Sequence, residues 1–297
     1  MRELVECVPN VSEGRRAEVV EELAEAVRST PQVRLLDYSW DWAHHRSVFT
    51  FVGPPQAVVQ AALALAEVAV RRIDLRHHRG LHPRIGAVDV VPFVPLRGVT
   101  MEDCVELSRV FARALWDRLR VPVYYYAFSA LRPERRWLPH IRRGGFEALQ
   151  SEISHPDRHP DVGEPRLHPT AGATATGARD LLVAWNFTLD TEDVQVARAV
   201  ARRIRQSSGG FPGVQAAGWA LPEGRVQVSV NVLDFRATPL WVLYQAVREE
   251  AARWGVAVLS TEFVGLVPAE AVAHAAAAAL QARNLDRSRV LEARLVE

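Results

Sequence analysis

The chain of 297 residues contains no lysine; all 36 of its basic residues are arginine. That absence excludes Schiff-base catalysis from a lysine, a pyridoxal phosphate anchor, a P-loop lysine and the kinase lysine. Cysteine is scarce too. Cys7 and Cys104 lie far apart, so neither a disulfide framework nor a four-cysteine zinc site is available, and both read as core thiols. Charge of one sign is not in excess. A balance of 36 basic against 35 acidic residues gives no support to a general nucleic-acid or membrane-surface binder. No run of 18 apolar residues occurs; the nearest, 266–280, is broken by Pro268, Glu270 and His274. The N-terminus lacks the apolar stretch of a signal peptide. The expectation is a soluble, cytoplasmic protein. What is present is ordinary globular composition, 48% hydrophobic and 24% charged, with chain enough for two domains.

Periodicity supplies the elements. Residues 4–8, 33–38 and 46–52 read as strands. Residues 15–28 place Val19, Leu23 and Val27 on one helical face. Pro54 and Pro55 open a long apolar helix to about residue 72. A strand follows at 88–94. Thr100 and Asp103 then approximate a capping box for a helix running to 119. Residues 121–128 read as a strand and 146–153 as a short helix. Residues 154–178, rich in Pro, Gly, His and Thr, have no apolar period and read as a long ordered loop or linker. The rhythm then restarts: strand 181–189, helix 192–205, strands 214–221 and 226–233, helix 240–254, strand 257–263, helix 269–282. Both halves run β-α-β-β-α-β, with an added helix and strand in the first. The expected fold class is α/β (α+β). It comprises two related subdomains, 1–180 and 181–297, with helices on one face of each sheet and a ligand cleft between the free faces.

Two patterns carry candidate chemistry. In 226–233, Val226, Val228, Val230 and Val232 share one face, and Gln227, Ser229 and Asn231 the other. Asn186 and Thr188 alternate in the same way with Trp185 and Phe187. The polar face is either a solvated sheet surface or a floor that hydrogen-bonds a heterocycle such as a pterin or purine edge. The second pattern is His77-His78-Arg79-Gly80-Leu81-His82-Pro83-Arg84, a loop because Gly80 and Pro83 interrupt any helix. His44-His45-Arg46 precedes a strand in the same half. A metal site is disfavoured: no carboxylate lies between Asp74 and Asp89, and no His-Glu-x-x-His spacing occurs. A solvated basic loop remains open, as does a general acid–base histidine with arginines holding anionic substrate groups.

Several stretches together resemble the glutamate formimidoyltransferases. They are Leu4-Val5-Glu6-Cys7-Val8-Pro9-Asn10 running on to Ser12-Glu13-Gly14, His82-Pro83-Arg84-Ile85-Gly86 with the strand after it, and Gly172-Ala173-Thr174-Ala175-Thr176-Gly177. Asn186, Gln227-Val228-Ser229, Asn231 and Val264-Gly265-Leu266-Val267-Pro268 add to it. The resemblance spans nearly the whole chain. It implies two α/β subdomains, a homodimer, and transfer of a formimino group from N-formimino-L-glutamate to N5 of tetrahydrofolate in histidine breakdown. It implies that His82 is the catalytic histidine, and that the folate segment is 163–172, with Gly163, Glu164, Pro165, His168, Thr170 and Gly172. It further implies the transferase half alone, without a cyclodeaminase. Two positions depart from the family. Ser39 stands where an acidic residue is usual near the catalytic histidine, and His45 where an asparagine precedes Arg46.

The chemistry suits these residues. N5 of the folate must lose a proton as it attacks the formimino carbon, and the glutamate nitrogen must gain one as it leaves. One imidazole with an ordinary pKa of about 6.5 can serve both steps. The expectation is tetrahydrofolate as co-substrate, no metal and no covalent intermediate. Donor and folate tail are carboxylate-rich, so Arg46, Arg79 and Arg84 are candidate clamps. Asn10, Asn186, Gln227 and Asn231 are candidates to hold the pterin. The alternatives are a formyl-transferring variant, a non-catalytic folate-binding relative and a histidine-cluster metallohydrolase.

Overall fold

The computed structural model describes residues 3–295. It divides into two compact units, Met1–Arg179 and Asp180–Glu297.

The first unit begins with β1 (Leu4–Cys7) and β2 (Asn10–Val11). These are two pieces of one strand, interrupted at Val8-Pro9 where proline has no N–H to give the ladder. Then come α1 (Ala17–Arg28), β3 (Arg34–Asp41), β4 (Arg46–Gly53), α2 (Pro55–Arg72), β5 (Val88–Arg97), α3 (Met101–Leu119) and β6 (Val123–Ala127). Two short helices, α4 (Leu138–Ile141) and α5 (Gly145–Glu152), precede β7 (Thr174–Ala178). The β1/β2 strand lies between β4 and β5, antiparallel to both, and β3 flanks β4. Beyond β5 the sheet continues in parallel through β7 to β6. The capping box at Thr100 is present, with Thr100 Oγ1 accepting from the Asp103 N–H at 3.1 Å and Asp103 accepting from the Thr100 N–H at 2.9 Å.

Helices α1, α2 and α3 cover one face. α2 lies between the other two, which explains why it is apolar nearly all round, with Val58, Ala62, Leu65 and Ala69 fully buried. Phe49, Phe51, Phe93 and Phe111 fill this core, each contributing about 1.5–3 kcal/mol by burial. A smaller cluster lies on the opposite face. There Val90, Tyr124, Tyr126 and Ala175 meet Ile141 of α4 and Leu149 of α5. The sheet's added end is therefore covered on both sides.

Residues 154–178 are no linker, and their last five residues form β7, the strand next to the β6 edge. Thr174 and Thr176 turn their hydroxyls back to the Val88 and Val91 carbonyls, both at 2.8 Å. The preceding stretch seals that edge. Asp161 accepts the Tyr125 N–H at 2.8 Å and pairs with buried Arg135 at 2.7 Å.

The second unit comprises β8 (Val183–Leu189), α6 (Val194–Ile204), β9 (Val214–Ala220), β10 (Val226–Val232), α7 (Leu240–Arg253), β11 (Val258–Val264) and α8 (Ala269–Leu280). Its antiparallel order β11-β8-β10-β9 puts the first strand between the third and fourth, as β1 stands between β4 and β5 in the first unit. Val226, Val228, Val230 and Val232 pack with Val196, Val200 and Leu243 of the helices. The opposite face carries Gln227, Ser229 and Asn231, with Ser229 paired to Asn186, and Asn186 to Glu262. Gln227 is buried, Ser229 half-buried and Asn231 exposed. Among the described residues no helix is long and apolar enough to cross a membrane.

Candidate active site

A pocket of about 180 Å³, counted to its open mouth, sits in the first unit. Its lining includes Ser12, His44, His45, Arg46, His78, His82, Arg84 and Asp89. Three chain segments build it.

The first is the chain after the broken strand. Ser12 Oγ donates to the Gly86 carbonyl at 2.7 Å and the Ser12 N–H to that of Ala87 at 2.8 Å. Glu13, 1% exposed, accepts the N–H groups of Gly14, Arg15 and Arg16 at 3.0, 2.9 and 3.0 Å, at the positive end of α1. Burial pushes its carboxyl up. The His45 ring, those N–H groups and the Arg16 side chain outweigh burial and hold it well below the usual carboxylate range.

The second segment is the tip of the β3–β4 hairpin. His44 Nδ1 lies 2.9 Å from Asp41 Oδ1. His45 adopts a left-handed φ of 50°. Its Nδ1 faces the Arg79 carbonyl at 2.9 Å and its Nε2 the Glu13 carboxylate at 3.3 Å.

The third is the loop between α2 and β5. Two glycines let it run against its neighbours. A Cβ on Gly80 would stand 2.4 Å from the His44 carbonyl oxygen, and one on Gly86 1.9 Å from that of Ala173. His78, 4% exposed, donates from Nε2 to the His45 carbonyl at 2.9 Å, leaving Nδ1 to accept from Arg84 Nε at 2.9 Å. That fixes a neutral ring, and burial lowers its pKa to about 4. The His78 ring stacks on His45 with centroids 4.0 Å apart.

His82 lies where these segments meet. Its Nδ1 is 2.7 Å from the Pro83 carbonyl, so Nδ1 carries the proton and Nε2 presents the lone pair. The Arg46 Nη1 lies 2.5 Å from Nε2 and 2.6 Å from Nδ1. Burial, then the charges of Arg46 and Arg142, hold the imidazole pKa well below its usual value. The ring is therefore neutral at physiological pH, able to take a proton and strongly disposed to give it back. His44 lies 6.4 Å away, ring to ring. Arg142, from the turn after α4, donates to Asp89 Oδ2, while Asp89 Oδ1 accepts the Ile85 N–H at 2.8 Å.

The sequence candidates divide into groups. His82 and Arg46 are brought together. Arg84 also lines the pocket, but its fork is spent on Glu147 at 2.7 and 2.6 Å, which makes it a brace for the loop. Arg79 caps the Arg76 and His78 carbonyls, and His77 is exposed and turned toward Asp74. Asn10 bonds back to the Val8 carbonyl at 2.9 Å. In the 163–172 segment, Gly163 (φ 95°), Glu164 and Pro165 are exposed. His168 Nδ1 accepts the Ala171 N–H at 3.0 Å. Thr170 and Gly172 are stitched to the histidine loop, through the Leu75 N–H to the Thr170 carbonyl and the Gly86–Gly172 bridge. Asn186, Gln227 and Asn231 lie together on the polar sheet face of the second unit. Ser39 sits in β3 opposite Val48. Asp41, two residues on, pairs with His44 and not with His82.

Sequence reasoning missed Glu13, Asp89 and Arg142 as parts of the site. Asp89 had a signal, a lone carboxylate inside an apolar strand. Arg142 had none, because it stands among exposed arginines. Among the described residues no group of three or more His, Cys, Asp and Glu is placed to hold a metal ion.

Comparison with known proteins gives the family of the chain. Residues 4–179 match the family model of the formiminotransferase domain, N-terminal subdomain, and residues 184–296 that of the formiminotransferase domain. The chain is 42% identical over 298 residues to glutamate formimidoyltransferase of Streptococcus pyogenes serotype M1, covering 100% of both. It is 41% identical to that of Thermoplasma acidophilum, covering 98% of this chain and 97% of the other. It is 43% identical to formimidoyltransferase-cyclodeaminase of Rattus norvegicus, covering 93% of this chain and 52% of the relative.

Proposed function

Because this chain belongs to the formiminotransferase family, we propose that it transfers the formimino group of N-formimino-L-glutamate to N5 of tetrahydrofolate, releasing L-glutamate. The observation that carries the chemistry is the state of His82. It is neutral, held in one tautomer by the Pro83 carbonyl, with a guanidinium beside it.

In this reading N5 attacks the formimino carbon and a tetrahedral adduct forms. The N5 proton passes to His82 Nε2. The imidazolium returns a proton to the glutamate nitrogen as its C–N bond breaks. The fixed tautomer supports this role, since Nδ1–H donates to Pro83 and leaves Nε2 to exchange protons. The half-buried setting, with two arginines near, works in the second half, because a depressed pKa makes the imidazolium a stronger acid. Arg46 supplies charge for a substrate carboxylate. The pocket is far too small to hold a whole ligand, since such sites occupy roughly 300 Å³ or more. The folate ring system therefore rests on further surfaces. Residues 163–172 fit that need, being partly exposed yet stitched to the histidine loop, and so do the amides of Asn10, Asn186, Gln227 and Asn231. The two units serve as the N- and C-terminal subdomains of one transferase. The same reading has tetrahydrofolate as co-substrate, no metal, and a cytoplasmic homodimer.

The test is an assay of purified protein with formiminoglutamate and tetrahydrofolate. 5-Formimino-tetrahydrofolate and glutamate are expected in equal amounts. Turnover only with N-formylglutamate, or folate binding without turnover, overturns the assignment.

A further inference from the structure

The carboxylates around the pocket are matched by arginines, with one exception. Glu13 pairs with Arg16, Asp89 with Arg142 and Glu147 with Arg84. Asp41 has no arginine partner among the described residues, and pairs with the His44 ring three positions on. Asp41 Oδ1 accepts the His44 N–H at 2.6 Å and stands 2.9 Å from His44 Nδ1. The His44 ring holds the Asp41 carboxyl below its ordinary range, so it is ionised at neutral pH. An ionised carboxylate only accepts, so Nδ1 carries a proton. His44 lines the same pocket as His82, with 6.4 Å between ring centres. Among the described residues its Nε2 has no hydrogen-bond partner. The neutral ring therefore presents a lone pair at Nε2, backed by a carboxylate whose charge no arginine cancels.

We propose that His44, oriented by Asp41, receives the imino nitrogen of the donor and selects a formimino group over a formyl group. This rests on the formimino-transfer reading and adds the residue that tells the two donors apart. A formimino group on nitrogen is an amidine. It is a strong base and enters as a cation, with N–H donors on its imino nitrogen. A formyl group is neutral and offers only oxygen lone pairs at that position. His44 Nε2 accepts the first and opposes the second, unless the ring takes up a proton. Asp41 behind the ring supplies the countercharge for the cation, which makes the hydrogen bond charge-assisted. The placement fits the transfer. N5 bonds to the formimino carbon as the C=N pair withdraws onto the imino nitrogen. The pair returns as the bond to the glutamate nitrogen breaks. His82 moves the single proton from N5 to the glutamate nitrogen, while the imino nitrogen keeps its hydrogens and none crosses His44. His44 is thus a specificity-determining residue, and Asp41 a positioning residue that acts through it.

The experiment compares two donors on one protein. N-Formiminoglutamate and N-formylglutamate are each assayed with tetrahydrofolate in the wild-type protein, His44→Ala, His44→Gln and Asp41→Ala. Misfolding lowers both activities together, so the ratio of the two kcat/KM values reports the site alone. His44→Ala is expected to raise KM for the formimino donor roughly 10- to 100-fold, the worth of one hydrogen bond to a charged group. The change in kcat should be smaller, because that bond is already made in the bound donor. KM for the formyl donor is expected to hold or fall. Asp41→Ala is expected to move the ratio in the same direction by less, since it frees the ring to turn or change tautomer. His44→Gln, whose amide oxygen accepts, is expected to restore part of the preference. A ratio unchanged in His44→Ala overturns the proposal, whether both activities fall or neither does, and leaves the transferase reading intact. A wild-type protein that transfers only the formyl group overturns both.

Discussion

The two units repeat one strand order and use it in opposite ways. In the second, the polar groups of interest stand on the strands themselves. Asn186, Ser229 and Glu262 lie opposite one another across β8, β10 and β11, away from the helices. In the first, most of the polar groups come from a broken strand, a hairpin tip, the loop between α2 and β5 and the turn after α4, and the unbroken strands add only Arg46 at the start of β4 and Asp89 near the start of β5. The difference follows from what each does in the proposed transfer. A row of amides offering donors and acceptors needs only the alternation of a strand. An acid–base group must be held in one tautomer, with its other nitrogen free, and that takes a carbonyl, a cation and steric enclosure from different directions. Long connections supply those directions, and the first unit has them.

That contrast can be attacked at its strongest point. His82→Ala is expected to lower kcat by roughly 10²- to 10⁴-fold while folate affinity shifts only a few-fold, as steady-state kinetics and equilibrium binding would report. Retention of full turnover would remove the first unit's claim to the chemistry. The next effect is on stability. The folded pKa of His78 is about 4 against an ordinary 6.5, so the unfolded chain takes a proton that the fold refuses. Stability should fall as pH drops from about 6.5 to about 4, by on the order of 3 kcal/mol. His82, also depressed, contributes with the same sign. Urea unfolding at pH 7, 5.5 and 4.5 checks this, with His78→Gln expected to flatten the slope. Glu13→Ala should cost about 2 kcal/mol at neutral pH, because it orphans the first N–H groups of α1 and the Arg16 side chain; thermal unfolding reads it. The smallest effect belongs to the second unit. Asn186→Ala and Ser229→Ala should raise KM for tetrahydrofolate a few-fold, each worth about 1 kcal/mol, with kcat nearly unchanged. A loss in kcat as large as that of His82→Ala would erase the distinction between the units.

How much was legible follows the same line. The alternation of Val226 to Val232 and the capping box at Thr100 were visible because they are local, each set by residues at most a few positions apart. The repeated strand order was visible because it is a sequence of such local signals. β7 was not. Thr174, Ala175, Thr176, Gly177 and Ala178 lack the bulky β-branched and aromatic residues of a typical strand. Small residues suffice there because the strand is inserted between two others and covered on both faces. In the site, the histidine loop and Arg46 announced themselves by composition. Their partners did not, since Arg142 and Glu147 are ordinary surface-type residues until the fold brings them to Asp89 and Arg84. His78 looked interchangeable with His77, yet one is buried and bonded through both nitrogens while the other is solvated. Nothing in adjacent letters separates them.

The position of β7 has a consequence for how the protein is made. It is the last strand of the first unit to leave the ribosome, yet it belongs between two strands already made. Until it arrives, β5 and β6 cannot pair through it, and the facing edges of both stay open. At ordinary synthesis rates the stretch from the end of β6 to the start of β7 takes roughly 2 to 9 seconds to emerge. During that interval the nascent chain presents a slot shaped for an extended strand. The ligand-facing candidate segment, residues 163–172, is the tether that delivers the right one. A chain stalled or cut just before Thr174 should therefore be captured by chaperones, or by the strands of its neighbours on the same messenger, far more readily than one released five residues later.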